Sequence, residues 1–193
     1  MSGLPELDSD ATALIDQASA LFAAAPEDPQ ASFRYPVLAT VGRDGMPNGR
    51  VLVLRTADSA TWQATLHTDS RAEKLAELAA NNAAMLVFHD HTAGLQLRLK
   101  GSMATIKDTA ERKAIWDALA DSNRPNYRAD PPTGSILGAA GDGIEPTDDR
   151  TGFRNFTVLT FSAATVDVLK LARSGNRRYR LDLSKGTGAW LVP

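Results

Sequence analysis

The chain has 193 residues, 43% hydrophobic and 23% charged, a balance that suits one globular domain with a substantial core and excludes a disordered chain. A formal net charge of −2 gives no global attraction to nucleic acid or to an anionic membrane, so any anion site must be local. The absence of cysteine removes disulfides, thiolate metal sites and thiol nucleophiles.

From Asp8 to Ala25, Leu14, Ile15, Ala18, Leu21 and Phe22 recur at helical spacing behind polar starters, and Pro26 ends the pattern. The preceding segment is acidic and lacks the basic and apolar regions of a signal peptide. No apolar run approaches the roughly 20 residues of a spanning helix, so the expectation is a cytoplasmic protein with no membrane partner and no nucleic acid partner. Tyr35 to Val41 and Arg50 to Arg55 are apolar, β-branched runs around a segment rich in Gly, Asp, Asn and Pro, the pattern of an antiparallel hairpin. Trp62 to Thr68 reads as a third strand. Asp69 and Ser70 then cap a helix carrying Leu75 and Leu78, which Asn81-Asn82 stops. Ala84 to His89 and Leu95 to Ile106 read as two more strands, followed by a helix from Thr109 to Leu119.

From Asp121 to Arg150, Pro125, Pro131, Pro132, Pro146 and several glycines predict an irregular loop, long enough to be functional or mobile. Three β-runs close the chain: Phe153 to Phe161, Thr165 to Leu171 and Arg178 to Leu183. A short apolar end follows. About eight strands in succession, with two to three helices between them and no βαβ alternation, predict an α+β fold. Its base is an antiparallel barrel, as one domain over 1–193.

The chemistry concentrates in Thr68-Asp69-Ser70-Arg71-Ala72-Glu73-Lys74, where a strand end meets a helix start. Unpaired N–H groups there attract phosphate, Arg71 and Lys74 stand one turn apart, and Thr68 and Ser70 add hydroxyls. The same spacing also fits a capped surface helix with solvated cations. Arg50 and Arg55, on opposite faces of one strand, can reach a phosphate and a ring carbonyl, or simply end a core strand. Gln96, Arg98 and Lys100 share one strand face, either lining an anionic ligand or lying exposed. His89 and His91 are too close for one helix face and lack a third ligand, so no metal is expected.

In this order, Arg50 to Arg55, then Thr68 to Lys74, then Gln96 with Gly101, the chain resembles the pyridoxamine 5′-phosphate oxidase-like family of FMN-binding split barrels. The resemblance implies a split β-barrel, FMN as cofactor, and a homodimer with FMN at the subunit interface. It implies that Arg50, Val51, Leu52, Val53, Leu54 and Arg55 line the flavin, that His67 and Thr68 lie beside its phosphate, and that Arg71 and Lys74 clamp that phosphate, with the Ser70 hydroxyl a further cofactor-binding candidate. It further implies a flavin contact from Gln96 of the second subunit, a late flavin contact from Arg178 or Arg180 and, with Arg55, substrate contacts from Arg124 and Arg128. The stretch from Leu169 to Arg180 contains neither the Arg-x-His element nor the tryptophan of the biosynthetic oxidase. The expectation is therefore an oxidase-like FMN-dependent oxidoreductase acting on a small molecule. The alternatives are a non-catalytic flavin-binding or flavin-sensing protein and a deazaflavin-dependent reductase.

Overall fold

The computed structural model describes residues 8–140 and 145–193. It begins with α1 (Ser9–Ala24), whose N-cap Asp8 accepts a hydrogen bond from the Ala11 amide, and a 3₁₀ turn at Ser32–Arg34. The strands are β1 (Val37–Val41), β2 (Pro47–Val51), β3 (Leu54–Asp58), β4 (Gln63–Asp69), β5 (Ala83–Asp90) and β6 (Leu95–Thr105), with α2 (Glu73–Ala80) between β4 and β5. After β6 come α3 (Thr109–Asp117), a 3₁₀ helix (Asp121–Tyr127), the two-residue strands β7 (Ala129–Asp130) and β8 (Glu145–Pro146), and α4 (Asp149–Asn155). Then β9 (Phe156–Lys170), β10 (Arg177–Asp182) and β11 (Thr187–Leu191) end the fold.

The pairing is antiparallel throughout, in the order β11-β10-β9-β6-β5-β1-β2, with β4 on the other edge of β9 and β3 beyond it. Strand β9 is shared: its first half pairs β4, its second half pairs β10, and β6 runs along its opposite edge. β2, β3 and β11 each keep a free edge, and Leu52 and Val53 join the first two. At 3.8 Å per Cα step that link spans no more than about 11 Å, so the sheet curls round until those two edges meet at one end without pairing. This is a split barrel.

The turn in the sheet is built at Gly101, where the β6–β9 register shifts between Lys100 and Gly101. A Cβ on Gly101 would stand 1.9 Å from the Ser162 carbonyl oxygen, so this approach requires glycine. Inside, α1 inserts Leu14, Ile15, Ala18 and Phe22; Phe22 stacks on Trp62 at 5.7 Å and meets Phe88 edge-on at 5.5 Å. A second cluster on the outside of β9 packs Trp116, Leu119 and Tyr127 over Phe156 and Val158.

Six predicted features differ. Residues 121–150 are not irregular throughout: the 3₁₀ helix, the β7–β8 pair and the start of α4 occupy much of that span, because Tyr127 and Trp116 give the segment its own apolar anchor. The flanking α-helices number four among the described residues, and α4 takes Phe153 to Asn155 from the predicted strand. The run from Phe156 to Lys170 is one bent strand instead of two, and the apolar chain end is β11. Arg50 and Arg55 lie on separate strands, since the chain leaves β1 at Val51 and joins β4 from Leu54.

Candidate functional site

Alternation places Asn48 and Arg50 of β2 on the inner face, opposite Thr40 and Leu38 of β1. There they meet Glu77 of α2, which is 1% exposed. Its carboxylate accepts hydrogen bonds from Thr40 Oγ1 at 2.6 Å, Asn48 Nδ2 at 2.5 Å and Arg50 Nη2 at 2.9 Å. Arg50 Nη1 also donates to Thr40 Oγ1. Burial pushes the Glu77 carboxyl up, but these three donors and the Arg50 charge outweigh it and hold the group below its ordinary value.

Lys74, one turn before Glu77 on the same face of α2, is half-buried and donates from Nζ to Thr68 Oγ1 at 3.0 Å. Burial and then the facing Arg50 charge lower its ammonium below the usual lysine value. Helix α2 begins at Ala72 without a side-chain cap, so its first amides add partial positive charge here. Two cations, a hydroxyl and an uncapped helix start thus converge on one point. Leu52 and Val53, beside Arg50, lie outside both neighbouring ladders, and the Leu52 amide donates to the Pro36 carbonyl at 3.1 Å.

Arg71 stands differently. It precedes the helix cap, and Asp69 grips it with bonds of 3.0 Å to Nε and 2.7 Å to Nη2, while Nη2 also donates to the Ala129 carbonyl. Asp130 lies 3.6 Å from Nη1, so Arg71 ties the end of β4 to β7. The predicted one-turn partnership with Lys74 is absent, because Asp69 accepts from the Arg71 amide and delays the helix. Ser70 is exposed, and its hydroxyl faces the Arg154 carbonyl at 3.5 Å.

Arg55 is the extra residue of a bulge: Leu54 pairs Leu66, Thr56 pairs Thr65, and Arg55 has no partner on β4. The bulge turns it toward His67, whose ring meets Phe156 edge-on at 4.9 Å. Burial, then the Arg55 charge, lower the imidazole to about 4. Neither Arg55 Nε nor His67 Nδ1 has a hydrogen-bond partner among the described residues.

Gln96 and Arg178 face outward. Gln96 shares the outer face of β6 with Arg98, so it lies on the face opposite Arg50 and three strands away. Within one chain the two groups are not brought together. Arg124 and Arg128 both bind Asp149, at 3.1 Å and 2.5 Å, and Arg124 also lies over the Trp116 ring. Their visible work is to hold the 3₁₀ helix on α4.

Sequence reasoning missed Glu77 and Asn48, the groups that orient Arg50. The Asn48-x-Arg50 alternation and the Lys74/Glu77 spacing of three were the available signals.

Fold and site together define an antiparallel split barrel with a cationic point between its first hairpin and α2. The sequence matches the family described as Pyridoxamine 5′-phosphate oxidase over residues 27–167, and the chain belongs to that family. A pyridoxine/pyridoxamine 5′-phosphate oxidase of Hyphomonas neptunium is 31% identical over 78% of this chain and 60% of its own length. One from Cupriavidus pinatubonensis is 33% identical over 53% of this chain and 41% of its own. The chain thus spans about half the length of these curated relatives. A pyridoxamine 5′-phosphate oxidase-related, FMN binding protein of Nostoc punctiforme superposes with a TM-score of 0.68 at 24% identity, covering 99% of this chain and 100% of that one. PhzG of Burkholderia lata, solved with tetrahydrophenazine-1-carboxylic acid, gives 0.74 at 16% identity over 99% of this chain and 100% of its own. These two likenesses establish the fold.

Proposed function

We propose that this chain binds FMN and works as a flavin-dependent oxidoreductase on a small-molecule substrate. The observation that carries this reading is the approach of Arg50 and Lys74, two cations facing each other at an uncapped helix start. Glu77 and Asp69 offset part of this positive charge, and a phosphate dianion would give both cations and the helix start further charge-assisted acceptors. Arg50, Lys74, Thr68 and the first amides of α2 would hold the phosphate, and Arg71 would join by giving up part of its grip on Asp69. The Leu52 carbonyl and the Val53 backbone, outside both neighbouring ladders, would meet the polar edge of the ring, with Arg55 and His67 beyond. A bound flavin supplies the hydride or electron transfer; the chain positions it and sets its electrostatics.

The same reading makes the protein a homodimer. Val37, Val51, Met46 and Tyr35 are exposed at 38%, 60%, 62% and 49%, beside the outward face that carries Gln96. A second copy packed there would cover them and bring its Gln96 toward the flavin. Light scattering behind a sizing column tests this, and a monomer at micromolar concentration contradicts it.

A second reading, flavin binding without turnover, is favoured by Arg124 and Arg128 being taken up by Asp149. No helix among the described residues is long and apolar enough to cross a membrane. The absorbance spectrum after reconstitution tests the cofactor: bands near about 450 nm support flavin, and one near about 420 nm points to a deazaflavin, since these spectra belong to the cofactor. Anaerobic reduction by NADH, NADPH or pyridoxamine phosphate then separates enzyme from binder, and no reduction by any donor contradicts the enzyme.

A further inference from the structure

Beside α2 the inner face of the barrel opens into a cavity of about 440 Å³ that shares no residue with the Arg50–Lys74 point. Alternation along β6 puts Met103 and Thr105 on the inward register, and Thr105 pairs Leu159 of β9. Buried Met103 and Leu159, with Leu78 of α2, make the floor. Leu75 makes one wall. Leu75 and Leu78 stand about 100° round the helix from Lys74 and Glu77, so α2 turns its charged stripe to the phosphate point and its apolar stripe to this cavity. The room exists because α2 is only eight residues long and because exposed Ala79 and Ala104, at the rim, add no more than methyl groups.

The lining is apolar except at one end. There the chain leaves β6 through Thr105, and Lys107 brings an ammonium to the mouth. Lys107 enters no ion pair among the described residues. The adjacent carboxylate, Asp108, is turned away to cap α3, where it accepts from the Ala110 and Glu111 amides at 2.7 Å and 2.9 Å. Water in this cavity would meet Leu75, Leu78 and Met103 and gain few hydrogen bonds, so an apolar occupant is favoured over most of its length and an anion at the Lys107 end.

We propose that this cavity binds a small amphipathic carboxylate, its apolar body against Leu75, Leu78 and Met103 and its carboxylate on Lys107. The volume suits a ligand of metabolite size. A lone lysine is a point charge, which suits a single carboxylate better than a group that needs a forked donor. Thr105 puts a hydroxyl at the same end. Gln96 and Thr105 lie nine positions apart on β6, up to about 30 Å along the strand, so a second copy packed over the outward face around Gln96 leaves this cavity open. Nothing in the proposal depends on flavin binding, since the floor and the Lys107 end are complete without it.

Calorimetric titration with octanoate, and in parallel with cinnamate, tests the site and separates a chain from a ring as the apolar body. The titrations use wild type, Ala79→Leu, Lys107→Gln and Lys74→Ala. Ala79 and Lys107 are both exposed, so the fold should survive the first two substitutions, and circular dichroism verifies that it does. The expected result is saturable binding of one carboxylate per chain by wild type. Ala79→Leu fills the void and should weaken it by about tenfold or more. Lys107→Gln should weaken it about threefold to fivefold, the loss of one exposed charge pair. Lys74→Ala should leave it unchanged. Saturable binding of only one probe assigns the apolar body. The proposal is overturned if neither probe binds saturably, if binding is indifferent to Ala79→Leu or to Lys107→Gln, or if Lys74→Ala alone abolishes it. FMN titration of the same proteins reads the flavin proposal separately, so failure of one leaves the other standing.

Discussion

Glu77 Oε2 accepts a 2.9 Å hydrogen bond from Arg50 Nη2, so the guanidinium facing Lys74 is anchored by a carboxylate on the same helix as Lys74. Glu77 is nearly inaccessible, whereas the Arg50 side chain keeps 23% exposure. Replacing Glu77 by leucine would strand Thr40, Asn48 and Arg50 without their shared acceptor. The expected loss in urea unfolding is about 3 kcal/mol, the low end for breaking a buried pair because Arg50 still reaches water. Glu77→Gln, which keeps an acceptor, should lose roughly half as much. A loss under about 1 kcal/mol for Glu77→Leu would show that the network does not hold the hairpin to α2.

His67 sets an acid limit on stability. Its imidazole is lowered to about 4, first by burial and then by Arg55, while an unfolded histidine titrates near 6.5. Between these values the unfolded chain binds a proton that the folded chain refuses, so stability falls as pH drops from 6.5 to 4 and the loss levels off below. The slope is about 1.4 kcal/mol per pH unit, or roughly 3 kcal/mol across the window. His67→Gln should flatten the pH dependence of the unfolding midpoint in that window. An unchanged slope would mean that His67 is protonated in the folded protein. Glu77 and Asp167, both lowered carboxyls, act in a more acidic range, where protonation removes their support.

Gly101→Ala should be among the most damaging single substitutions in the barrel. Its Cβ would meet backbone at 1.9 Å, which a rotamer change cannot relieve, and the β6–β9 register would have to move. The expected cost is about 4 kcal/mol or failure to fold, read by thermal unfolding, and a cost under about 1 kcal/mol would mean that the β6–β9 bulge relaxes freely.

Much of this architecture was readable from the chain because the signals were local. The 3.6 periodicity from Leu14 to Phe22 and the Gly-Arg-Asp-Gly turn before Pro47 each depend on neighbouring residues only. What escaped depends on distant partners. Phe156 to Lys170 is one strand because its first half is covered on both faces, by the barrel core and by Trp116 and Tyr127, and no local pattern encodes that double burial. The break at Leu52-Val53 exists because β2 and β3 serve different partners across an open seam. In the site, Arg50 and Lys74 were legible as cations in the right order, but their approach needed Glu77, and the commitment of Arg71 to Asp69 is a side-chain choice that spacing does not determine. Arg124 and Arg128 point to the same lesson, since Asp149 lies more than twenty residues downstream of each.

The central claim is that Arg50 and Lys74 hold the phosphate of a flavin. Its most direct test compares FMN with riboflavin, which lacks only that phosphate, by fluorescence titration of wild type and Lys74→Ala. Loss of one charge-assisted bond should weaken FMN by about tenfold or more and leave riboflavin within about twofold. Equal affinity of wild type and Lys74→Ala for FMN, or a parallel loss for both ligands, would contradict this phosphate assignment.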